Sequence, residues 1–305
     1  MKIVIAIVGP TAIGKTKLAL SLARIFNGEI VNADSRQVYR YMDIGTAKPG
    51  HREQESIPHH LIDIVDPDED FNLALYQPLA YGAIEDIQKR GKLPLLVGGS
   101  GLYVWSVSEG WQIPRVSPDP ALRSQLEDRA AREGVDGLYQ ELQRIDPMAA
   151  GKIDRRNVRR VIRALEVCQA IGSLSQLQGK KPPGFETLLL GLTADRDELY
   201  RRIDQRVDNM IEQGLVAEVG SLMDKGYSLS LPAMSGVGYR QIGRFLQGEV
   251  DLPAAIQQIK FETHRFARHQ YAWFRLDDPR IRWFDIQGKV EENIISLMER
   301  EIAKL

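Results

Sequence analysis

The sequence has little of several features that would assign it to a specialised class of protein. Among its 305 residues there is one cysteine, Cys168, which excludes an internal disulfide and a zinc site built from cysteines. The formal net charge is only −1, so binding to nucleic acid would have to depend on charge that is arranged locally. The first apolar run is too short to span a membrane and lacks a signal-peptide cleavage pattern. We therefore expect a soluble cytoplasmic protein, with Cys168 buried as a small apolar side chain.

Strand-like segments that end in loops are present from the start of the chain. Ile3–Val8 is a continuous apolar run rich in β-branched residues, as expected of a strand buried on both faces, and it ends at a glycine loop. Residues 29–33 end at Asp34 and Ser35, and Leu93–Val97 leads into the glycines and serine at 98–101. Helical segments separate these strands. The alternation predicts an α/β fold, with a P-loop NTPase-like doubly wound parallel sheet and a site at the carboxyl ends of its strands.

The middle of the chain has a different character and predicts an insertion into this sheet. Residues 117–183 contain charged helical segments and no strand-like run of useful length, between proline-rich boundaries. Residues 186–192 then resume the sheet, and helices, a short strand at 282–284 and a terminal helix follow. We expect an α/β core formed by residues 1–116 and 184–305, with an all-helical subdomain inserted at 117–183.

The glycine loop after the first strand carries the strongest motif. It matches G-x-x-x-x-G-K-[ST] and lies between a buried strand and a helix, the context that this phosphate-binding motif requires. Its backbone N–H groups and the start of the helix attract phosphate, the lysine adds a positive charge, and the threonine is a ligand for Mg²⁺. The motif consists of Gly9, Pro10, Thr11, Ala12, Ile13, Gly14, Lys15 and Thr16.

Two polar segments follow the next strands. Asp34, in Asp34-Ser35-Arg36-Gln37, is suited to binding magnesium, to acting as a general base, or only to capping a following helix. Ser100 is suited to positioning a substrate by hydrogen bonding or to closing a glycine turn without further function. P-loop ATPases place an acidic magnesium ligand after an apolar strand, whereas Leu93–Val97 leads into glycines and serine, which disfavours an ATPase.

Two basic segments supply local charge. Between Lys152 and Arg163 there are six basic residues and one acid at helical spacing, and Arg156, Arg160 and Arg163 are predicted to share one helix face. Such a face is either solvated or suited to a phosphate backbone. Residues 264–275 interleave cations with aromatic residues, a mixture that suits RNA. It equally suits a helix that packs Phe266, Tyr271 and Phe274 into the core.

Seven segments, in order along the chain, together resemble the bacterial tRNA dimethylallyltransferases. The resemblance extends from the first strand to about Trp273, and the segment at 43–49 has no counterpart in ordinary P-loop kinases. The matching segments are residues 9–16, 32–39, 42–49, 58–63, 96–103, 163–167 and 238–241.

The resemblance implies transfer of a prenyl group from dimethylallyl pyrophosphate to tRNA. The acceptor would be the exocyclic amine of the adenosine 3′-adjacent to the anticodon, in tRNAs that read codons beginning with U. The P-loop would hold the pyrophosphate of the donor rather than ATP, with Lys15 and Mg²⁺ on Thr16 stabilising its charge. Arg202 and Arg206, one turn apart on the helix after the fourth strand, are suited to be further pyrophosphate ligands or equally to lie on a solvated helix surface. Asp34 would be the general base, and Ser100 stands where the family usually has threonine.

The resemblance also implies which residues contact the anticodon stem-loop. We expect a monomer that binds tRNA and dimethylallyl pyrophosphate without a membrane partner. Ser235, His264 and His269 stand where the family often has arginine. The expected tRNA contacts are Asp34, Ser35, Arg36, Gln37, Ser100, Arg123, Asn157, Arg159, Arg160, Arg163, Gly238, Tyr239 and Arg240.

Two alternatives remain open at the level of sequence. One is an adenylate isopentenyltransferase, which would use the same core on free nucleotides and would have little need of the basic insertion. The other is an ATP-dependent small-molecule kinase, which the segment after Leu93–Val97 and the match at Asp34 to Gln37 both disfavour.

Overall fold

The computed structural model describes residues 3–177 and 179–304, with no side chain described for Leu177. The chain divides into two compact units: a larger one formed by residues 1–108 and 183–305, and a smaller one formed by residues 109–182. The smaller unit begins before the proline-rich stretch because Trp111 forms an isolated antiparallel bridge with Lys180.

The larger unit contains a six-stranded sheet in which every pair of neighbouring strands is parallel. The strand order is β3-β2-β4-β1-β5-β6. This arrangement confirms the predicted α/β class. The strands are β1 (Ile3–Val8), β2 (Gly28–Asn32), β3 (His59–His60), β4 (Leu93–Val97), β5 (Glu186–Thr193) and β6 (Ile281–Asp285).

Helices form the rest of both units, together with a 3₁₀ turn at Ser175–Leu177. None of the helices within the described ranges is both long and apolar enough to cross a membrane. The helices are α1 (Lys15–Ile25), α2 (His51–Ser56), α3 (Leu73–Lys89), α4 (Gly101–Ser108), α5 (Pro120–Glu133), α6 (Val135–Ile145), α7 (Pro147–Ala150), α8 (Val158–Ile171), α9 (Arg196–Glu212), α10 (Leu215–Asp224), α11 (Tyr239–Leu246), α12 (Leu252–Trp273) and α13 (Val290–Ile302).

The order of the strands brings three loops to one edge of the sheet. β4 lies between β2 and β1, with Ile30 opposite Leu95 on one side and Ile7 opposite Val97 on the other. Every residue of these three strands is buried, which explains the unbroken apolar sequences of β1 and β4, whereas β2 also buries the polar residues Glu29 and Asn32. The glycine loop, Asp34 and Ser100 therefore all follow neighbouring strands at their carboxyl ends.

The smaller unit is a set of helices around its own apolar core. Leu126, Leu142, Val161 and Leu165 pack together in it, and none is more than 4% exposed. Cys168 belongs to this core with 3% of its surface exposed, as predicted for a small apolar side chain.

Candidate active site

The phosphate-binding loop adopts a backbone that two of its glycines make accessible. Gly9 has φ +136°, and a Cβ there would lie 2.5 Å from the carbonyl oxygen of Leu192 on β5. Gly14 caps α1 in the left-handed region, with φ +100°. A side chain at either position would be strained. These two glycines let the chain leave β1 and enter α1 in six residues, with the helix start facing the loop.

Lys15 lies inside the loop that precedes it. Its ammonium group donates hydrogen bonds to the carbonyl oxygens of Gly9, at 3.0 Å, and Pro10, at 2.7 Å. The pKa of Lys15 is lowered from 10.5 to about 7, chiefly by burial, while Asp34 acts in the opposite direction and Arg206 adds to the lowering. The negative charge around Lys15 is therefore too small to offset the free-energy cost of burying its ammonium form.

Arg206, on α9, also has too little negative charge nearby to offset its desolvation. Burial lowers its pKa as well, and Asp34 is the charged group that opposes this shift. Within residues 3–177 and 179–304 no carboxylate forms an ion pair with Arg206, whereas Arg202, one turn earlier, bonds Glu198 through its Nε at 2.6 Å. Two desolvated cations thus face one carboxylate, which is the electrostatic environment of an anion site.

A cavity of about 510 Å³ opens over these groups. It extends from the start of α1 past the ends of β2 and β3 to α9 and α12, and it contains many of the residues predicted to bind the donor. The predicted site residues that line it are Thr11, Ala12, Gly14, Lys15, Thr16, Asp34, Gln37, Arg202 and Arg206.

Asp34 is held in the cavity wall by a turn of the backbone. Asn32 accepts a hydrogen bond from the Asp34 N–H through its Oδ1 at 2.9 Å, and the Asp34 Oδ1 accepts one from the Arg36 N–H at 2.8 Å. No helix follows Asp34 directly, so the carboxylate does not cap one, although its position in the sequence allowed that role. The Asp34 Oδ2 has no hydrogen-bond partner within the described residues, so this oxygen does not help to hold the turn.

Ser100 supports the segment after Asp34. Its hydroxyl accepts a hydrogen bond from the Ser35 N–H at 3.0 Å and contacts the Ser35 hydroxyl at 3.3 Å. Among the described residues that line the cavity, neither serine is included. Ser100 therefore fixes the backbone beside Asp34, in addition to whatever it contributes to a substrate.

Glu218 organises the segment at 43–49, and the sequence carried no signal for this. Its carboxylate accepts hydrogen bonds from three successive backbone N–H groups, those of Asp43, Ile44 and Gly45, at 3.0, 2.7 and 3.1 Å. It also accepts one from the Tyr239 hydroxyl at 2.6 Å. A Cβ on Gly45 would lie 2.5 Å from the Tyr239 ring, so the loop and the ring are in direct contact.

The segment at 43–49 also orients the side chain of Gln37. The Gln37 amide nitrogen donates to the carbonyl oxygens of Thr46, at 3.2 Å, and Ala47, at 3.1 Å. Lys48 ties the loop down, because its buried ammonium bonds the Tyr39 carbonyl oxygen and the carboxylates of Asp43 and Asp63. No hydrogen bond within the described residues engages the Gln37 side-chain Oε1, and Gln37 lines the cavity.

Several predicted tRNA contacts in the larger unit have partners within the protein. Arg36 donates to the carbonyl oxygen of Pro232 at 2.6 Å and also reaches Ser235, and Arg240 bonds Glu262 at 2.6 Å. Tyr239 is 1% exposed, so the whole residue is part of the core, and neither its side chain nor its backbone lies on the surface. Gly238 caps α11 with φ +98°.

In the smaller unit, the predicted cations separate into two arginines that bond a buried carboxylate and an exposed pair. Glu166, with its side chain 1% exposed, pairs with both Arg123 and Arg163. Burial would raise the pKa of Glu166, but hydrogen bonds from Arg123, the Asp119 backbone and Arg163 outweigh it and lower the pKa to about 2. Arg159 and Arg160 are exposed on the first turn of α8.

The predicted face of Arg156, Arg160 and Arg163 is wrong in one member. α8 begins at Val158, after the Asn157 side chain accepts a hydrogen bond from the Arg160 N–H, so Arg156 precedes the helix. Arg156 bonds Asp154 instead. Helical spacing cannot be extended across an N-cap, because the residues before it have non-helical dihedral angles.

In the basic segment at 264–275, most of which lies on α12, some aromatic residues pack into the core and another lines the cavity. Phe274 is fully buried and Tyr271 is partly buried, whereas Phe266 is 46% exposed and lines the cavity. His264 stacks on Tyr200 at 4.0 Å and lies 2.9 Å from Asp204, and His269 is exposed. Gln270, on the same helix, is buried against the glycine loop, a role that its place in a basic segment did not indicate.

Comparison with known proteins gives a consistent result over nearly the whole chain. The family model described as IPP transferase matches residues 37–277, and that described as Isopentenyl transferase matches residues 2–63. A tRNA dimethylallyltransferase of Thermomicrobium roseum is 52% identical over 305 residues, which cover 99% of this chain and 92% of that protein. One from Roseiflexus castenholzii is 54% identical over 272 residues, covering 89% of each chain.

Solved structures of similar proteins also match this chain over its full length. The full-length tRNA isopentenylpyrophosphate transferase from Bacillus halodurans has a TM-score of 0.73 and 41% sequence identity, with 100% of this chain and 97% of that chain covered. A eukaryotic dimethylallyltransferase acting on tRNA has a TM-score of 0.84 and 28% identity, with 100% and 80% covered.

Proposed function

The chain belongs to the IPP transferase family, and from this premise we propose that it is a tRNA dimethylallyltransferase. It transfers the dimethylallyl group of dimethylallyl pyrophosphate to the exocyclic amine of the adenosine 3′-adjacent to the anticodon, in tRNAs that read codons beginning with U. The observation that carries the proposal is the pair of desolvated cations, Lys15 and Arg206, placed opposite Asp34 in one cavity.

The donor half of this site holds the pyrophosphate. The loop N–H groups at the start of α1, Lys15, Arg202 and Arg206 surround the anion, and their positive charge stabilises the charge that grows on the leaving oxygen as the carbon–oxygen bond breaks. The deficit of negative charge around Lys15 and Arg206 disappears when pyrophosphate binds.

The acceptor half supplies a base. An aromatic exocyclic amine is a poor nucleophile, so it gains from a base that accepts its proton as the nitrogen–carbon bond forms. Asp34 performs this role through Oδ2, while Oδ1 remains bonded to the Arg36 N–H. Gln37 presents its carbonyl oxygen to the adenine, and Ser100 keeps the Asp34 segment in place.

Thr16 is suited to a magnesium ion at this site. It lines the cavity next to Lys15, and no hydrogen bond in the described part of the chain engages its hydroxyl. Mg²⁺ prefers oxygen ligands and is held in many phosphate sites by one or two side chains together with the phosphates. When bound, the ion would neutralise negative charge on the pyrophosphate.

The tRNA is bound through its anticodon stem-loop, with the adenosine displaced from its stack to reach the cavity, as enzymes that act on base atoms require. Arg159, Arg160 and the N-terminus of α8 at Asn157 supply phosphate contacts in the smaller unit. Arg123 and Arg163 contribute from the cluster around Glu166. We place this reaction in the cytoplasm and assign it to a monomer without a membrane partner.

The transfer itself is tested with radiolabelled dimethylallyl pyrophosphate and three separate acceptors: unmodified tRNA, AMP and ATP. We expect label in tRNA only, and loss of label when the target adenosine is replaced by guanosine. Label in AMP but not in tRNA would show an adenylate isopentenyltransferase, which the tRNA-modifying relatives do not favour. Consumption of ATP with a small-molecule acceptor would show a kinase.

Replacing Arg159 and Arg160 together with glutamine is expected to weaken tRNA binding and to lower the slope of log affinity against log salt by roughly 2. These residues are preferred to Arg163, because Arg163 also holds the buried Glu166. Fluorescence anisotropy of unmodified tRNA at several salt concentrations measures both quantities. The double variant of Arg282 and Arg300, exposed in the larger unit, is the control. Unchanged affinity and slope would make the α8 pair a solvated surface.

Binding of inorganic pyrophosphate is expected to take up about one proton per site at about pH 8, because the anion restores the ammonium form of Lys15. The pKa of Lys15 is about 7 in the free protein, so the uptake falls towards zero below that pH and the affinity falls as pH rises above it. Calorimetry in two buffers of different ionisation enthalpy measures the uptake. Lys15→Arg, which stays charged, reports the titration of pyrophosphate alone; equal uptake in both proteins would contradict the assignment.

A further inference from the structure

The side chain of Gln270 joins the two loops that carry the donor and acceptor halves of the site. It is 4% exposed on α12. Its Oε1 accepts a hydrogen bond from the Thr11 N–H in the glycine loop at 2.8 Å, and its Nε2 donates one to the Gly99 carbonyl oxygen after β4 at 3.1 Å. Building on the proposed function, we propose that Gln270 is a positioning residue, which sets the pyrophosphate loop in register with the base.

The second of these bonds leads directly to Asp34. Gly99 precedes Ser100, whose N–H donates to the Ala33 carbonyl oxygen at 3.2 Å and whose hydroxyl accepts from the Ser35 N–H. Both neighbours of Asp34 are therefore attached to the turn that Gln270 holds. A displacement of this turn relative to the glycine loop moves the base relative to the donor.

Only a side chain of this length that has an acceptor at one position and a donor at the other satisfies both loops. One end faces an N–H and requires an acceptor, and the other faces a carbonyl oxygen and requires a donor. The packing is close, because a Cβ on Gly99 would lie 2.0 Å from the Gln270 Nε2. Methionine fills a similar volume but bonds neither loop. Ionised glutamate offers the Gly99 oxygen another acceptor, which is repulsive, whereas protonated glutamic acid reproduces both bonds.

The consequence for catalysis is a loss of alignment rather than of tRNA affinity. A misplacement of about 1 Å between reacting groups is enough to slow an enzyme about 10²-fold. Gln270→Met is therefore expected to lower kcat by about 10- to 100-fold and to change the KM for tRNA by less than about twofold. It is also expected to weaken inorganic pyrophosphate binding about tenfold, because the loop loses the bond at Thr11.

The decisive measurement is the pH profile of Gln270→Glu. As pH falls from about 8 to 6, its kcat divided by that of the wild type is expected to rise, because the buried carboxyl becomes protonated and regains both bonds. A residue that served only to stabilise the fold would lower the melting temperature and leave this ratio flat. Gln257→Met, an exposed glutamine on the same helix, is the control and is expected to keep wild-type kinetics.

The outcomes separate the inference from the function on which it rests. A flat ratio for Gln270→Glu, or a wild-type kcat for Gln270→Met at saturating substrates, would overturn it. If the wild type transferred no label to tRNA, the proposed function would fail. The positioning role would then be judged by inorganic pyrophosphate, for which a tenfold loss in Gln270→Met supports it and equal affinity overturns it. If Gln270→Met does not fold, the pH profile of Gln270→Glu decides.

Discussion

Replacing Asp34 with asparagine is expected to slow dimethylallyl transfer by about 10²- to 10⁴-fold, the usual contribution of a positioned general base. The affinities for inorganic pyrophosphate and for tRNA are expected to change little. Single-turnover transfer of label at saturating donor isolates the chemical step from binding and from product release.

Replacing Asp34 with asparagine removes the base while keeping the hydrogen bond that holds the surrounding turn. Asparagine keeps an Oδ1 to accept from the Arg36 N–H, so the turn is preserved. At the other position it places an NH₂ group, which cannot take a proton. Because Asp34 raises the pKa of Lys15, the variant lowers that pKa further in the free protein, and the assay is best run well below pH 7, where Lys15 is charged in both proteins.

Two comparisons complete the test of Asp34. Asp224→Asn, an exposed carboxylate at the end of α10, is expected to behave as the wild type. Asp34→Ala removes both the base and the hydrogen bond to Arg36, so it is expected to lower stability as well as rate. A wild-type transfer rate in Asp34→Asn would remove Asp34 from the role of base.

The sequence predicted the parts of this molecule that depend on local patterns. Unbroken apolar runs identified β1 and β4, because strands buried on both faces leave no room for alternation. Since parallel strands present their carboxyl ends at one edge, the sequence was sufficient to assign the loop at 9–16, Asp34 and Ser100 to one edge of the sheet. The two-residue strand β3 was missed, because it has too few residues to form a pattern.

The partners that hold the site together were beyond the reach of the sequence. Gln270 lies 259 positions from Thr11, and Glu218 lies 175 positions from Asp43. Neither has a local motif, because the spacing of contacts between distant segments follows from packing in three dimensions. Charge was similarly ambiguous: Arg163 and Arg160 share a helix, yet one holds a buried carboxylate and the other is exposed.

Replacing Lys15 with methionine is expected to lower kcat/KM for dimethylallyl pyrophosphate by about 10²- to 10³-fold, the usual effect of removing one group that stabilises transition-state charge in a dry site. The same substitution is expected to stabilise the free protein. The pKa of Lys15 is about 7 in the folded protein, against an ordinary value of 10.5 that applies to the unfolded chain, so the unfolded chain binds more protons between these values. The destabilisation by Lys15 is thus fully present below about pH 7 and declines as pH rises towards 10.5.

Opposite changes in activity and stability make the test of Lys15 sharp. The melting temperature of Lys15→Met is expected to exceed that of the wild type by more at pH 6 than at pH 10, because only the charged lysine is costly to bury. Lys89→Met removes an exposed lysine on α3 and is expected to leave the rate and the melting temperature near wild type. A Lys15→Met protein that lost activity and stability together at every pH would contradict this assignment. It would indicate that Lys15 acts mainly through its structural hydrogen bonds to Gly9 and Pro10, and not through a positive charge that binds pyrophosphate.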